Sequence, residues 1–107
     1  KISGDAGPQL PPRVAPHRST PDLIVSTTVS REQALLYRLS GDYNPIHADP
    51  EAARSAGLDR PILHGLCSLG IAARQVLRYF CGGDPAALRS ISCRFSRPVL
   101  PGDELEV

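Results

Sequence analysis

Between His64 and Phe80 the chain places Leu66, Leu69, Ala73, Val76 and Phe80 at alternating spacings of three and four, with Leu77 widening the stripe. That period is the signature of an amphipathic helix, and it predicts one long helix over 64–80. The opposite face carries Ser68, Arg74, Gln75 and Arg78, which predicts one wet side. A helix of this kind must bury its stripe against another layer, so the question becomes what the rest of the chain supplies. An apolar content of 41% in 107 residues is enough for the core of one modest domain, and no apolar run reaches the length of a membrane span.

The supply consists of short strands and short helices. Residues 23–29 are rich in β-branched side chains, with Val25, Thr27 and Val29 alternating against Ile24, Ser26 and Thr28, and read as a first strand. Ser30 with Gln33 forms a capping-box pattern that opens a short helix, whose Leu35, Leu36 and Leu39 make an apolar stripe before Ser40 and Gly41 end it. Asp49 followed by Pro50 starts another helix through Ala52, Ala53 and Ala56 to Gly57, and Asp59-Arg60-Pro61 is a turn. Gly82-Gly83-Asp84-Pro85 closes the long helix, and Ile91, Cys93 and Phe95 alternate with Ser92, Arg94 and Ser96 as a second strand. Pro98 to Asp103 is a turn, and residues 104–107 begin a third strand.

The resulting class is α+β, a long helix laid on antiparallel strands. Three strands cover a helix of about five turns poorly, which leads us to expect further strands beyond residue 107 or from a partner. Five of the eleven prolines fall within residues 1–21, which read as an extended linker preceding a domain over 22–107.

Twelve basic residues against eleven acidic ones leave a net charge of +1, which lacks the concentrated positive field of a nucleic-acid binder. Cys67, Cys81 and Cys93 are odd in number and contain no C-x-x-C pair, arguing against a disulfide framework and against a four-ligand zinc site. A reducing compartment is the setting that fits them.

Two short constellations carry chemistry. In Gly41-Asp42-Tyr43-Asn44-Pro45-Ile46-His47, Pro45 forbids helix and pushes Asn44 into an extended conformation, so the chain must bend. Such a bend can bring the Asp42 carboxylate and the His47 imidazole to one water and divide acid and base roles between them. On spacing alone, an Asx-turn at Asp42 and a satisfied half-buried His47 are the preferred account of the segment. At the start of the long helix, Gly65 would let a ligand oxygen approach unpartnered backbone N–H groups, which is oxyanion-hole logic; a packing glycine with His64 as an ordinary cap is the plainer account. Cys67 with His64 three residues earlier is a conceivable nucleophile pair, but no third orienting group accompanies it and packing is preferred. His17 lies among the linker prolines and reads as solvated.

Taken together, Tyr37-Arg38-Leu39-Ser40-Gly41-Asp42-Tyr43-Asn44-Pro45-Ile46-His47, Asp49-Pro50 and Pro61-Ile62-Leu63-His64-Gly65-Leu66-Cys67 closely resemble the MaoC-like (R)-specific enoyl-CoA hydratases, also called hydratase type two. The resemblance runs over about residues 22–107, through Arg94-Phe95-Ser96-Arg97-Pro98-Val99 and Pro101-Gly102-Asp103. Its nearest likeness is to the hydratase part of the peroxisomal multifunctional β-oxidation enzyme and bacterial relatives.

What the resemblance implies is a hot-dog fold, in which the long helix is wrapped by an antiparallel sheet, and hydration of trans-2-enoyl-CoA to (3R)-3-hydroxyacyl-CoA. It implies Asp42 and His47 as the catalytic pair, Asn44 and His64 as supporting residues and the Gly65 N–H as the oxyanion donor. No metal or redox cofactor is implied, coenzyme A being part of the substrate. Arg89, Arg94 and Arg97 are candidates for its phosphates, with plain solvation as the alternative for each. A second hot-dog half and a homodimer are the implied partners, and the implied location is cytoplasmic in a bacterium and peroxisomal in a eukaryote. A hot-dog thioesterase, whose water attacks the thioester carbonyl instead, and a non-catalytic assembly module are the rival readings, because one scaffold hosts several functions.

Overall fold

The computed structural model describes residues 20–107. Nearly all of the linker reading, including His17, lies outside the described residues. The elements in chain order are a strand β1 (Ser26–Thr28), helix α1 (Gln33–Arg38), helix α2 (Pro50–Ser55), the long helix α3 (Gly65–Phe80) and a strand β2 (Glu104–Glu106). Single 3-10 turns stand at Pro45–His47 and Pro85–Ala87.

β1 and β2 pair antiparallel, with Ser26 opposite Glu106, Thr27 opposite Leu105 and Thr28 opposite Glu104. The ladder continues past both strands, since Val25 and Val107 exchange N–H···O bonds at 2.8 and 3.0 Å and Val29 N–H donates to Asp103 O at 2.8 Å. Alternation gives the ribbon an inner face of Thr27 and Leu105 between exposed neighbours. The expected turn precedes β2: Asp103 Oδ2 accepts from Leu100 N–H at 2.9 Å, and Gly102 takes the φ of +99° that the bend requires.

The core is small. Val29, Ala34, Leu63 and Cys67 are buried, with Tyr37, Ile71, Val99 and Leu105 packed around them. Burying Val29 and Leu63 contributes about 1.5–3 kcal/mol each, so each carries a large share of what holds β1, α1 and α3 together.

The local start and stop signals hold. Asp49 Oδ1 accepts from Glu51 N–H at 2.8 Å and caps α2, and Gly57 at φ +80° ends it. α3 stops where Cys81 N–H and Gly83 N–H both donate to Leu77 O, at 3.1 and 2.9 Å, with Gly82 and Gly83 at positive φ.

Burial departs from the sequence pattern in three places. In α1, Ala34 is buried and Tyr37 half-buried, whereas Leu35, Leu36 and Leu39 are more than half exposed. A two-turn helix meets the core through its smallest residue, whose methyl lets the backbone approach closely, and the leucines turn outward. The Ser30 capping box does not form either: Gln33 N–H bonds the Ser30 backbone carbonyl at 3.1 Å, no side chain caps α1, and the Gln33 side chain turns to the Cys67 thiol. In α3 the buried residues are Cys67 and Gln75, with the partly buried Ile71 between them at spacings of four, while Leu66 and Phe80 at the ends of the predicted stripe are about two-thirds exposed. Gln75, expected on the wet side, is thus inside.

The third departure is the strand expected around Ile91, Cys93 and Phe95. Residues 88–98 hold no regular structure, and Ile91 and Phe95 are exposed. Alternation reads local preference, but a strand exists only by pairing, and no ladder among the described residues reaches this segment. No helix among the described residues is long and apolar enough to cross a membrane.

Candidate active site

The bend after α1 is built by consecutive backbone captures. Gly41, at φ +108°, leaves the helix and the chain enters Asp42. Asp42 Oδ1 accepts from Asn44 N–H at 3.2 Å, and Asn44 Oδ1 in turn accepts from Ile46 N–H at 3.3 Å. Pro45 fixes the first position of the following 3-10 turn, with Asn44 extended at φ −54° and ψ 123°. The Asx-turn reading of Asp42 is therefore correct as local geometry, and it occupies one carboxylate oxygen only.

His47 at the end of that turn is 8% exposed, and its Nδ1–H donates to the Ile62 carbonyl at 2.8 Å. A carbonyl only accepts, so the bond puts the proton on Nδ1 and leaves the lone pair on Nε2. Ile62 N–H donates back to Ile46 O at 3.3 Å, tying the loop to the segment that leads into α3.

His64 caps α3 by its backbone alone; its side chain makes no capping bond. The ring instead turns inward and is 1% exposed, with Nε2–H donating to the backbone carbonyl of Asp42 at 3.1 Å. It stacks on His47 with centroids 3.7 Å apart and planes 25° from parallel, and Tyr37 lies against it at 4.6 Å. The reading of His64 as an ordinary cap is thereby corrected. Buried contacts to a residue 22 positions away explain why the cap pattern missed it.

Asp42, His47 and His64 each bring one ligand atom within 4.8 Å of the others, with Asp42 exposed and both imidazoles buried. Two hydrogen bonds of about 2.8 Å through one oxygen span up to ~5.6 Å, so a single water reaches both the carboxylate and the imidazole. A metal ion is a poorer match to the same trio. Near-parallel stacked rings aim their in-plane lone pairs alongside one another, whereas an ion about 2.1 Å from each nitrogen needs them to converge.

Gly65 is the first residue of the 16-residue α3, whose opening N–H groups have no acceptor inside the helix and stand at its positive end. A Cβ on Gly65 would meet the Phe95 ring at 3.1 Å, so the absence of a side chain lets that ring pack directly against the start of α3. Phe95 was read as part of the second strand; its place over Gly65 is a feature that alternation could not reveal.

Cys67 is buried, and burial pushes its thiol pKa up, with the Gln33 hydrogen bond opposing. That is the reverse of an activated nucleophile and agrees with packing. Arg89, Arg94 and Arg97 are exposed on the irregular segment and line neither the cleft at His47 nor the cleft at Tyr37. A cleft of about 230 Å³ is lined by His47, Ala48, Arg60, Pro61 and Arg31 among others, so two arginines that the sequence reading gave no site role line it beside the buried imidazole. A larger cleft of about 290 Å³ is lined by Gln33, Tyr37, Cys67 and Arg74 but by neither Asp42 nor His47. The chemistry, not the size, marks the site.

Comparison with known proteins fits this geometry. Residues 13–107 match the family model described as a MaoC like domain. The chain is 48% identical over 106 residues to probable enoyl-CoA hydratase 2 of Dictyostelium discoideum, covering 98% of this chain and 36% of that protein. It is 60% identical over 73 residues to the peroxisomal enoyl-CoA hydratase 2 of Arabidopsis thaliana, covering 68% of this chain and 24% of that one. Among solved structures, the MaoC-like dehydratase from Phytophthora capsici superposes with a TM-score of 0.88 at 50% identity, over 94% of this chain and 36% of that one. Full-length peroxisomal multifunctional enzyme type 2 from Drosophila melanogaster gives 0.84 at 49% identity, over 91% of this chain and 18% of the other. The chain thus spans between 18% and 36% of the length of these proteins. The likeness bears out the hot-dog expectation, with α3 as its helix and the β1–β2 ribbon as part of its sheet. By sequence and by backbone, the chain belongs to the MaoC-like domain family.

Proposed function

We propose that the protein carrying this chain is an (R)-specific enoyl-CoA hydratase, with Asp42 and His47 as its catalytic residues. The observation that carries the reading is the approach of the Asp42 carboxylate to the His47 ring within 4.8 Å, with the Nδ1 proton of His47 committed to Ile62. Nε2 is left as a base facing solvent shared with a carboxylate. Relatives named enoyl-CoA hydratase 2 support the substrate class.

In this reading a water held by Asp42 and His47 loses a proton as its oxygen bonds to C3 of a trans-2-enoyl thioester. The C2–C3 π pair moves toward the thioester carbonyl, and its oxygen takes up negative charge at the Gly65 N–H and the positive end of α3. A proton is returned to C2 from the same face, giving (3R)-3-hydroxyacyl-CoA and restoring both residues. Asn44 holds the loop through its bond to Ile46. Coenzyme A enters as part of the substrate, and the steps call for no further cofactor or metal. A second hot-dog half and a homodimer complete the assembly in this reading, in the peroxisome of a eukaryote or the cytoplasm of a bacterium; the names of several relatives carry the word peroxisomal.

The test uses the full protein with crotonyl-CoA, following the enoyl absorbance and free thiol together. The expected result is loss of the enoyl band without thiol release, with a product oxidised by an (R)-specific and not an (S)-specific 3-hydroxyacyl-CoA dehydrogenase. Thiol release with the band intact would overturn the reading in favour of a thioesterase.

A further inference from the structure

We propose that His64 is a positioning residue that holds Asp42, His47 and the Gly65 amide in one arrangement; the inference rests on the hydratase reading above. Its ring is 1% exposed, yet its Nδ1 has no hydrogen-bond partner among the described residues. A buried polar atom without a partner lowers stability, and an apolar side chain of similar size would fill the space without that cost. Packing therefore does not explain an imidazole here; what the ring touches does.

The contacts converge on the reacting groups. Nε2–H donates to the Asp42 carbonyl at 3.1 Å, which fixes the backbone from which the carboxylate springs. The ring face stacks on His47 at 3.7 Å, so the His47 plane cannot rotate about its Ile62 bond without breaking the stack. Tyr37 lies against the same ring at 4.6 Å, supporting it from α1. The next residue along the chain is Gly65, and Leu63 before it is anchored by its burial and by N–H donation to Val99 O at 2.7 Å. One side chain thus couples the loop that activates water to the helix end that receives charge. Displacing a reacting group by about 1 Å can cost ~100-fold in rate, which is the scale such a clamp protects.

Two variants separate the two contacts. His64→Gln keeps an N–H donor near Nε2 but loses the flat ring; His64→Phe keeps the ring but loses the donor. In the full protein, we expect both to lower kcat, His64→Phe by about 10–100-fold and His64→Gln by less, because the donor to Asp42 is the shorter-range constraint. KM for crotonyl-CoA should stay within about twofold of the wild type, since His64 is only 1% exposed and offers almost no surface to a substrate. Folded content is read by circular dichroism and thermal melting, and kcat is normalised to it. Unchanged kcat in folded variants, or a rise in KM with kcat kept, overturns the clamp. A loss that tracks folded content alone also overturns it, and if His64→Phe does not fold, His64→Gln decides. A wild type inactive on crotonyl-CoA refutes the hydratase reading instead, so the two failures are distinguishable.

Discussion

His47 Nδ1–H donates to the carbonyl of Ile62 at 2.8 Å, and that one bond decides which nitrogen of the ring is free to act. Replacing the ring removes both the base and a donor to a backbone acceptor. His47→Ala and Asp42→Asn in the full protein are each expected to lower kcat by about 100- to 10,000-fold, with folded content retained. Hydration assays on variants verified by circular dichroism check this; full turnover in either folded variant contradicts the assignment.

Gly65→Ala separates stability from activity. The new methyl would meet the Phe95 ring at 3.1 Å, but Phe95 is 55% exposed and can shift by a few tenths of an ångström. Gly65 has no positive φ, so alanine also restricts the unfolded chain, a gain of about 0.4–1 kcal/mol. We expect a melting temperature equal to or above the wild type, together with a fall in kcat of at least about tenfold as the oxyanion approach is obstructed.

The thin core makes Leu63→Ala costly. Leu63 is 3% exposed and packs with Val29, Ala34 and Cys67, so its truncation should lower stability by about 2–5 kcal/mol. Urea unfolding of the full protein gives the value, and a change below about 1 kcal/mol would mean the site collapses to fill the cavity.

Asp49→Ala removes the side-chain acceptor that caps α2 and should cost about 0.5–2 kcal/mol, while Asp49→Ser keeps most of it. Hydration activity per folded molecule should be little altered by either, because Asp49 lies outside the Asp42 cluster.

The three thiols should react in the order of their exposure. Cys93 is exposed, whereas Cys67 is buried with its pKa raised by desolvation. A maleimide reagent is expected to label Cys93 in the native protein and Cys67 only on unfolding. The sign of the linkage follows: whatever stability the protonated Cys67 thiol confers is complete below the unfolded thiol pKa of about 8.5 and is lost as pH rises through the higher folded value. Stability measured from pH 7 to pH 10 should fall less in Cys67→Ala, after subtraction of its own baseline.

What the sequence disclosed and what it concealed divide by the range of the interaction. Asp49-Pro50, Gly57, Gly82-Gly83 and Pro101-Gly102 act on their immediate neighbours, and each stops or starts an element as read. The faces of α1 and α3 were misjudged, because Leu35 and Leu39 turn outward and Gln75 inward according to what lies across from them. Ile91 to Phe95 looked like a strand for the same reason: propensity is local and a ladder is not. At the site, spacing alone left Asp42, His47 and Gly65 open and the family resemblance singled them out with His64, whereas the contacts of the His64 ring and of Phe95 depend on approaches between distant segments.

Among the described residues, Asp42, His47, His64 and the Ile62 carbonyl that holds His47 all come from the stretch between residues 42 and 65, and none of them from the β1–β2 ribbon. Chemistry and framework are therefore separable along the polypeptide. A randomised library confined to that interval samples this trio and its backbone acceptors, while exchanges in the ribbon leave them untouched.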